Sequence, residues 1–161
     1  MISKVLSTCQ EMFEARGYKI ESINRNAIFG FTDKDKSVYL VILEDSKFNI
    51  DVIKYYYGYV VKNSIQHLII VYEDLMTPSV KKIINKMGIP VEIFKYKELI
   101  YNITKHYLVP KHERVERDGR DISNYPIIKR NDPVCRFYNF QTGDLIRIHR
   151  KNGTIYYRVV K

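Results

Sequence analysis

The sequence predicts an α/β domain with a mixed, partly parallel sheet and flanking helices, followed by a small α+β domain. Through the first two thirds of the chain, apolar runs rich in β-branched residues alternate with segments of helical apolar spacing. From Pro110 onward, charged residues and turn formers separate only short strand-like runs. Positive charge is concentrated there too, since residues 110–161 hold 12 Lys and Arg against 6 Asp and Glu. We therefore place two domains at residues 1–105 and 106–161.

In the first domain, apolar residues at helical spacing predict an opening helix, with Gly17 just beyond its end. Apolar runs at 37–43, 65–72 and 91–94 predict three buried strands. Asn49 is the expected N-cap of a second helix. The apolar side of that helix is expected to comprise Ile50, Ile53, Tyr57, Val60 and Val61.

A third helix is expected at the sequence MTPSVKK, because a Thr-Pro pair is typical of a helix start. Exposed N–H groups at such a start favour a phosphate group, and a hydroxyl and two lysines follow. An ordinary capped surface helix accounts for the same pattern. The candidates for lying near nucleic acid are Thr77, Pro78, Ser79, Lys81 and Lys82.

The second domain is expected to hold short strands at 126–129, 144–150 and 154–160. The Asn-Gly pair between the last two strands predicts a hairpin. Asp132 and the following proline predict a turn, and the aromatic residues after it have the content of a helical turn. Asn139 is expected in the left-handed conformation.

Bulk composition restricts the class of protein. Apolar residues make up 45% of the chain, which is enough to build a core. No apolar run approaches the ~18 residues of a membrane span, and the chain does not open with a signal-peptide pattern. Cys9 and Cys135 stand far apart without a CxxC motif, which suits a reducing compartment. We expect a soluble, intracellular protein with no membrane association.

One pattern raises the possibility of a metal-dependent nuclease. Asp33 or Asp35, with Asp45-Ser46-Lys47 after a strand, could supply the acids and the lysine of such a site. The pattern is short, and a solvated turn explains it more simply.

Other catalytic signals are weak. His106, His112 and Glu113 do not share a helical face as metal ligands, because Pro110 interrupts the segment. No phosphate-binding glycine loop, nucleophile elbow or zinc-protease motif occurs. We therefore expect no catalytic residue, no metal ion and no cofactor. Rigid turns, aromatic rings and arginines in so short a domain are typical of a docking surface.

The stretch IIKRNDPVCRFYNFQTGDLIRIHR…GTIYYRVV resembles the C-terminal domain of the fifth common subunit of eukaryotic RNA polymerases, a family that also has a one-domain archaeal form. The family pattern is a DPVARYxG turn, a G-(D/Q)-V-V-(K/R)-I strand and a Y-x-x-YR strand. Asn139 stands where the family has Gly, an exchange that a left-handed position tolerates. The matching residues are Asp132, Pro133, Val134, Arg136, Gly143, Tyr157 and Arg158.

Two further motifs extend the resemblance along the chain. MTPSVKK is similar to the TPS motif of the eukaryotic N-terminal domain, and residues 98–112 resemble the segment that joins the two domains. The chain lacks an insertion that the family has ahead of 37–43, and a helix that it has ahead of the DPV turn. The shortened length and the abundance of Ile, Lys, Asn and Tyr suggest a viral homologue.

The resemblance implies a non-catalytic subunit of a DNA-directed RNA polymerase. Its C-terminal domain would dock on the largest subunit and contact other polymerase subunits, while its N-terminal domain would form part of the jaw near downstream duplex DNA. A viral protein would lie in the host cytoplasm and the virion, a cellular one in the nucleus. The alternatives are a stand-alone DNA-binding module and a divalent-metal-dependent nuclease. The implied assembly surface comprises Asp132, Pro133, Val134, Arg136, Tyr138, Gly143, Tyr157 and Arg158.

Overall fold

The computed structural model describes residues 1–44, 47–73 and 75–161. It divides the chain into two compact units, unit 1 (Met1–Tyr101) and unit 2 (Asn102–Lys161). The boundary expected from the sequence, after residue 105, falls inside unit 2 at the end of a 3-10 turn (Ile103–Lys105). Each unit has its own sheet and its own hydrophobic core.

Unit 1 is a mixed α/β structure, as the sequence predicted. Its elements are α1 (Ile2–Ala15), β1 (Lys19–Ile23), β2 (Ala27–Phe31), β3 (Ser37–Ile42), β4 (Lys47–Phe48), α2 (Ile50–Lys62), β5 (His67–Tyr72), β6 (Leu75–Met76), α3 (Pro78–Ile84), β7 (Val91–Lys95) and α4 (Tyr96–Leu99). The main sheet has the order β1-β2-β3-β5-β7, in which β3, β5 and β7 are parallel and β1 and β2 antiparallel. β4 and β6 form a separate parallel pair.

The three predicted strands and the opening helix of unit 1 are confirmed. β5 is buried along its whole length, as a central parallel strand covered on both faces should be. Leu68 and Ile70 of β5 share one cluster with Ile53 of α2 and Val80 of α3. These two helices therefore cover the same face of the sheet.

The β1–β2 hairpin was not predicted. β1 is an exposed edge strand, so its sequence lacks the apolar alternation of a half-buried strand. The register shifts between Ile20 and Ser22, where β1 carries an irregularity. Gly30 of β2 lies against the carbonyl group of Lys19, and a Cβ atom at Gly30 would collide with it. The hairpin therefore depends on a glycine at this position.

The predicted cap of α2 is confirmed, because the Asn49 side chain accepts hydrogen bonds from the N–H groups of the first helical turn. The predicted apolar side is wrong in part. Ile53 and Val60 are buried, but Tyr57 and Val61 are 40% and 64% exposed, and Ile50 is exposed as well. The buried side runs instead through the position of Tyr56, which is half-buried against the core.

Unit 2 is a small α+β structure. After the 3-10 turn, its elements are β8 (Lys111–Val115), β9 (Ile127–Ile128), α5 (Pro133–Tyr138), β10 (Leu145–His149) and β11 (Ile155–Val160). The sheet order is β8-β10-β11-β9, with β9 parallel to β11 and the other pairs antiparallel. The three predicted strands and the hairpin are confirmed. β8 was missed, because charged residues dominate its sequence.

Each unit buries one free cysteine. Cys9 lies on the inner side of α1, and Cys135 lies on the inner side of α5, packed with Phe140 and Ile146. Burial raises the pKa of both thiols to about 12. Both side chains therefore behave as small apolar groups. None of the described helices combines the length and the apolar character needed to cross a bilayer.

Candidate assembly surface

The DPV segment forms a short capped helix. Asp132 is the N-cap of α5, and its carboxylate accepts a hydrogen bond from the Val134 N–H at 2.9 Å. Pro133 occupies the first helical position, where a missing N–H is harmless. Asn139 follows the helix in the left-handed conformation, with φ 55° and ψ 41°, as predicted. The motif thus fixes both ends of a six-residue helix.

The residues of α5 divide between core and surface. Val134 is buried, so it supports the surface from inside. Pro133 is exposed and Arg136 is half-buried. Tyr138 is also half-buried, with its ring stacked on Phe140 at 5.0 Å between centroids. A partner could therefore contact Pro133, Arg136 and Tyr138 directly.

Gly143 shapes the loop between α5 and β10. Its φ is +92°, a conformation that L side chains rarely adopt. Its N–H donates to the Val160 carbonyl at 2.8 Å, and its own carbonyl accepts a hydrogen bond from the Arg117 guanidinium. Gly143 is thus a structural residue of this loop.

Arg158 and Tyr157 lie on opposite faces of the sheet. Val160 packs with Cys135 on the inner side of α5, and side chains alternate along a strand. Arg158 therefore shares the α5 face, where its guanidinium donates to the Ile127 carbonyl at 3.0 Å. Tyr157 points to the other face. The structure thus places Arg158 with α5 and separates Tyr157 from it.

On the face away from α5, a polar row crosses three strands. Glu113, Arg147 and Tyr157 are register partners on β8, β10 and β11. The Glu113 carboxylate accepts from Arg147 at 3.0 Å and lies 2.7 Å from Nε2 of His149. The hydrogen bond from Arg147 is the main cause that lowers the pKa of Glu113. The Arg120 guanidinium lies 5.3 Å from the centroid of the Tyr157 ring, so this ring is anchored within unit 2.

The start of α3 is exposed at Thr77 and Pro78, while Ser79 is half-buried. The hydroxyl oxygens of Thr77 and Ser79 lie 3.0 Å apart. α3 has only seven residues, so the exposed Lys81 and Lys82 belong to its last turn. They add positive charge to this part of unit 1 but do not flank the helix start.

The residues considered for a nuclease site do not converge. Asp33 and Asp35 lie in the turn before β3, whereas Lys47 follows the other end of that strand. A six-residue strand separates its ends by roughly 17–20 Å, too far for one metal ion. Asp45 and Ser46 lie outside the described residues. Within the described ranges, no group of three or more His, Cys, Asp or Glu could hold a metal ion.

The two histidines near the boundary make local contacts instead of forming a metal pair. The Leu108 N–H donates to Nδ1 of His106 at 3.2 Å. Nδ1 of His112 lies 2.8 Å from the Pro110 carbonyl oxygen. Each ring thus has a partner within two residues of chain.

Sequence reasoning missed a buried ionic cluster in unit 1. The Arg16 side chain, 1% exposed, donates two hydrogen bonds to Glu92 at 2.7 and 2.8 Å. Nε2 of His67 lies 2.8 Å from the same carboxylate. Burial raises the pKa of Glu92, but the Arg16 charge and the hydrogen bonds outweigh burial and hold it at about 2. Arg16 and Glu92 are 76 positions apart, so no local motif reveals the cluster.

Comparison with known proteins gives a family for the second unit and for most of the chain. The family model described as RNA polymerase Rpb5, C-terminal domain, matches residues 101–160. Subunit RPABC1 of DNA-directed RNA polymerases I, II and III from Caenorhabditis elegans is 33% identical over 143 residues, covering 80% of this chain and 68% of its own. The corresponding Dictyostelium discoideum subunit is 31% identical and covers 76% of this chain and 68% of its own.

Viral proteins are also similar. A protein of Invertebrate iridescent virus 6, named as a candidate DNA-directed RNA polymerase subunit, is 27% identical and covers both chains completely. A solved structure of EndoMS in its apo form is 16% identical and covers 56% of this chain and 45% of its own. Its TM-score of 0.40 is too low to carry an argument.

The motif around α5, the fold of unit 2 and the extent of the eukaryotic matches agree with one another. They confirm the resemblance to the polymerase subunit and the expectation of an accessory subunit that is not itself an enzyme. The chain belongs to the Rpb5 (RPABC1) family of DNA-directed RNA polymerase subunits.

Proposed function

We propose that unit 2 docks the chain on the largest subunit of a DNA-directed RNA polymerase, and that unit 1 forms part of the jaw beside downstream duplex DNA. One observation carries the proposal. The matched family domain, residues 101–160, coincides with unit 2, residues 102–161, which has a sheet and a core of its own. A self-contained unit of this kind suits assembly into a larger complex.

Within unit 2, the α5 side is the contact surface that we favour. The contact groups on this side are the Tyr138 ring, the guanidinium groups of Arg136 and Arg158, and the rigid exposed turn at Pro133. Such groups are typical components of interface hot spots. Asp132, Val134 and Gly143 support this surface by capping, packing and shaping the loop. Tyr157 stabilises the opposite face.

Co-expression of the tagged chain with the largest polymerase subunit from the same source tests the docking. We expect recovery of the two proteins in near-equal amounts after a salt wash. Replacing Arg136 and Arg158 together by Ala should lower the recovered largest subunit by about tenfold or more, because hot-spot arginines carry a large share of binding energy.

A matched control replaces two exposed basic residues of unit 1, Arg25→Ala with Lys34→Ala. Both variants should remain folded, with only a small decrease in thermal midpoint where the Arg158 hydrogen bond to the Ile127 carbonyl is lost. If the Arg136 and Arg158 variant assembles as well as this control, the α5 side is not the docking surface.

A further inference from the structure

The sheet of unit 2 has two edge strands, β9 and β8. At the first edge, the two-residue β9 pairs with the end of β11. At the second edge, β8 pairs with β10 on one side and with no described strand on the other. The whole five-residue length of β8 is therefore an edge.

Hydrogen-bond alternation identifies the backbone groups that face outward from β8. The Asp144 carbonyl, just before β10, accepts a hydrogen bond from the Val160 N–H of β11 at 3.0 Å. Because backbone groups of successive residues point to opposite sides of a strand, even-numbered residues of β10 form backbone hydrogen bonds with β11, and odd-numbered residues form them with β8. The N–H and C=O groups of His112 and Arg114 consequently point away from the sheet. In the part of the chain that the structure describes, these groups have no backbone partner. The β8 residues that bond to β10 are Lys111, Glu113 and Val115.

The charges along this edge are positive. The side chains of Lys111 and Arg114 are 71% and 55% exposed. Arg114 lies 3.9 Å from the Asp144 carboxylate. Lys111 lies 3.7 Å from the Glu113 carboxylate, which Arg147 and His149 also engage. Pairing of two copies through β8 would bring like charges together, which is unfavourable between strands. The edge therefore suits an acidic segment and not a second copy of this chain.

Exposed apolar side chains lie directly ahead of the edge. Tyr107 and Leu108 are 69% and 71% exposed, the highest values among the large apolar side chains described in unit 2. Only two residues separate Leu108 from the start of β8. The Tyr107 ring lies beside the β10–β11 turn, 5.7 Å from the Lys151 ammonium, so Leu108 is the apolar side chain that we assign to a strand continued past the start of β8.

We propose that β8 is a strand-addition site for an extended, acidic segment of a partner polymerase subunit. The backbone of that segment bonds to the outward N–H and C=O groups of His112 and Arg114. Its acidic side chains face Lys111 and Arg114, and an apolar residue covers Leu108. The identity of the partner rests on the proposed function, whereas the free edge is a property of unit 2.

Two substitutions at Arg114 separate the contribution of its backbone N–H to partner binding from the contribution of its side-chain charge. Arg114→Pro removes an outward N–H without breaking a bond to β10, which is where edge strands tolerate proline. Arg114→Ala removes the charge and keeps the N–H. In co-purification with the largest subunit, we expect Arg114→Pro to lower recovery by about tenfold or more, and Arg114→Ala by less than about threefold.

Hydrogen exchange on the unaltered chain supplies a test that does not depend on the folding of a variant. The His112 and Arg114 amides should exchange quickly in the free chain and at least about tenfold more slowly in the complex. The Glu113 amide, already bonded to β10, should be slow in both. If the complex forms while the two outward amides still exchange quickly, strand addition is overturned and the proposed docking stands.

If no complex forms, the proposed function fails. Binding of a peptide then tests whether the β8 edge accepts an added strand. The probe is a soluble peptide of about ten alternating Val and Glu residues, added to the full chain and followed by NMR. Selective shifts of the His112 and Arg114 amides would support an acidic strand-addition site. Unchanged amides up to millimolar peptide would overturn it.

Discussion

At the scale of single residues, Glu92 controls how unit 1 responds to acid. Its folded pKa of about 2 lies below the ordinary value of 4.5. A carboxyl group whose pKa is lowered by folding contributes stability that is present above the ordinary pKa. That contribution disappears as the pH falls from about 4.5 through about 2. Acid sensitivity in this window is therefore expected for unit 1.

We predict that Glu92→Gln lowers the free energy of unfolding at neutral pH by about 3 kcal/mol, because it leaves the buried Arg16 without a counter-charge. The variant should also lose part of the decrease in stability between pH 4.5 and pH 2. Urea unfolding at several pH values measures both effects. The matched control is Glu21→Gln on exposed β1, which should change stability by less than about 0.5 kcal/mol. Equal stability of the two variants would contradict the assigned role of the cluster.

Asn139 is a second residue whose conformation has a measurable consequence. Its φ of 55° is strained for a residue with a Cβ atom, and Asn tolerates it better than Ala. We predict that Asn139→Ala destabilises unit 2 by about 1 kcal/mol. Asn139→Gly should cost less, although it loses the hydrogen bond from Gln141 to the Asn139 side chain. Denaturant unfolding of both variants tests the prediction, and equal losses would argue against strain at this position.

At the scale of elements, two glycines in unit 1 should respond in opposite ways to the same substitution. Gly30→Ala forces a Cβ atom into the Lys19 carbonyl group and should cost about 2–3 kcal/mol. Gly58→Ala places a Cβ atom in open space within α2 and should stabilise by about 0.5–1 kcal/mol. Thermal unfolding of the two variants measures both changes. A neutral Gly30→Ala would show that the hairpin can shift to accommodate the methyl group.

The elements that could be predicted from the sequence are those with a strong local pattern. β3 and β5 are apolar runs, and α5 has a cap and a proline at its start. β1 and β8 were missed because both are edge strands, and solvent on their free side removes the apolar pattern. An edge strand is defined by what lies beside it, which is a property of the fold and not of the local sequence.

The same limit applies to the candidate sites. The α5 helix and its cap could be predicted because their residues are contiguous and match a family motif, whereas the docking role of this side stays a prediction. The separation of Tyr157 from Arg158 follows from strand alternation once β11 is located. The outward amides of β8 and the ion pair between Arg16 and Glu92 depend on contacts between distant segments. No local motif could have revealed either of them.

At the scale of the whole molecule, the proposed jaw position predicts a change in how the polymerase holds DNA. We expect Lys81→Glu with Lys82→Glu to reduce the slope of log affinity against log salt by up to about 2 for downstream DNA in the assembled enzyme. Recovery of the enzyme should be unaffected. The matched control, Lys34→Glu with Lys36→Glu in the exposed β2–β3 turn, carries the same change of charge. Equal slopes for the two variants would place α3 away from DNA.

Because each unit buries one cysteine, the rate of thiol labelling can report the opening of each unit separately. Cys9 is buried in unit 1 and Cys135 in unit 2, and their raised pKa values keep both thiols protonated at neutral pH. A maleimide reagent should therefore label each thiol only when its own unit opens. Mass spectrometry of the labelled peptides would time the opening of the two units in the same sample. Docking on a polymerase should slow labelling of Cys135, and the effect on Cys9 would show whether unit 1 is restrained as well.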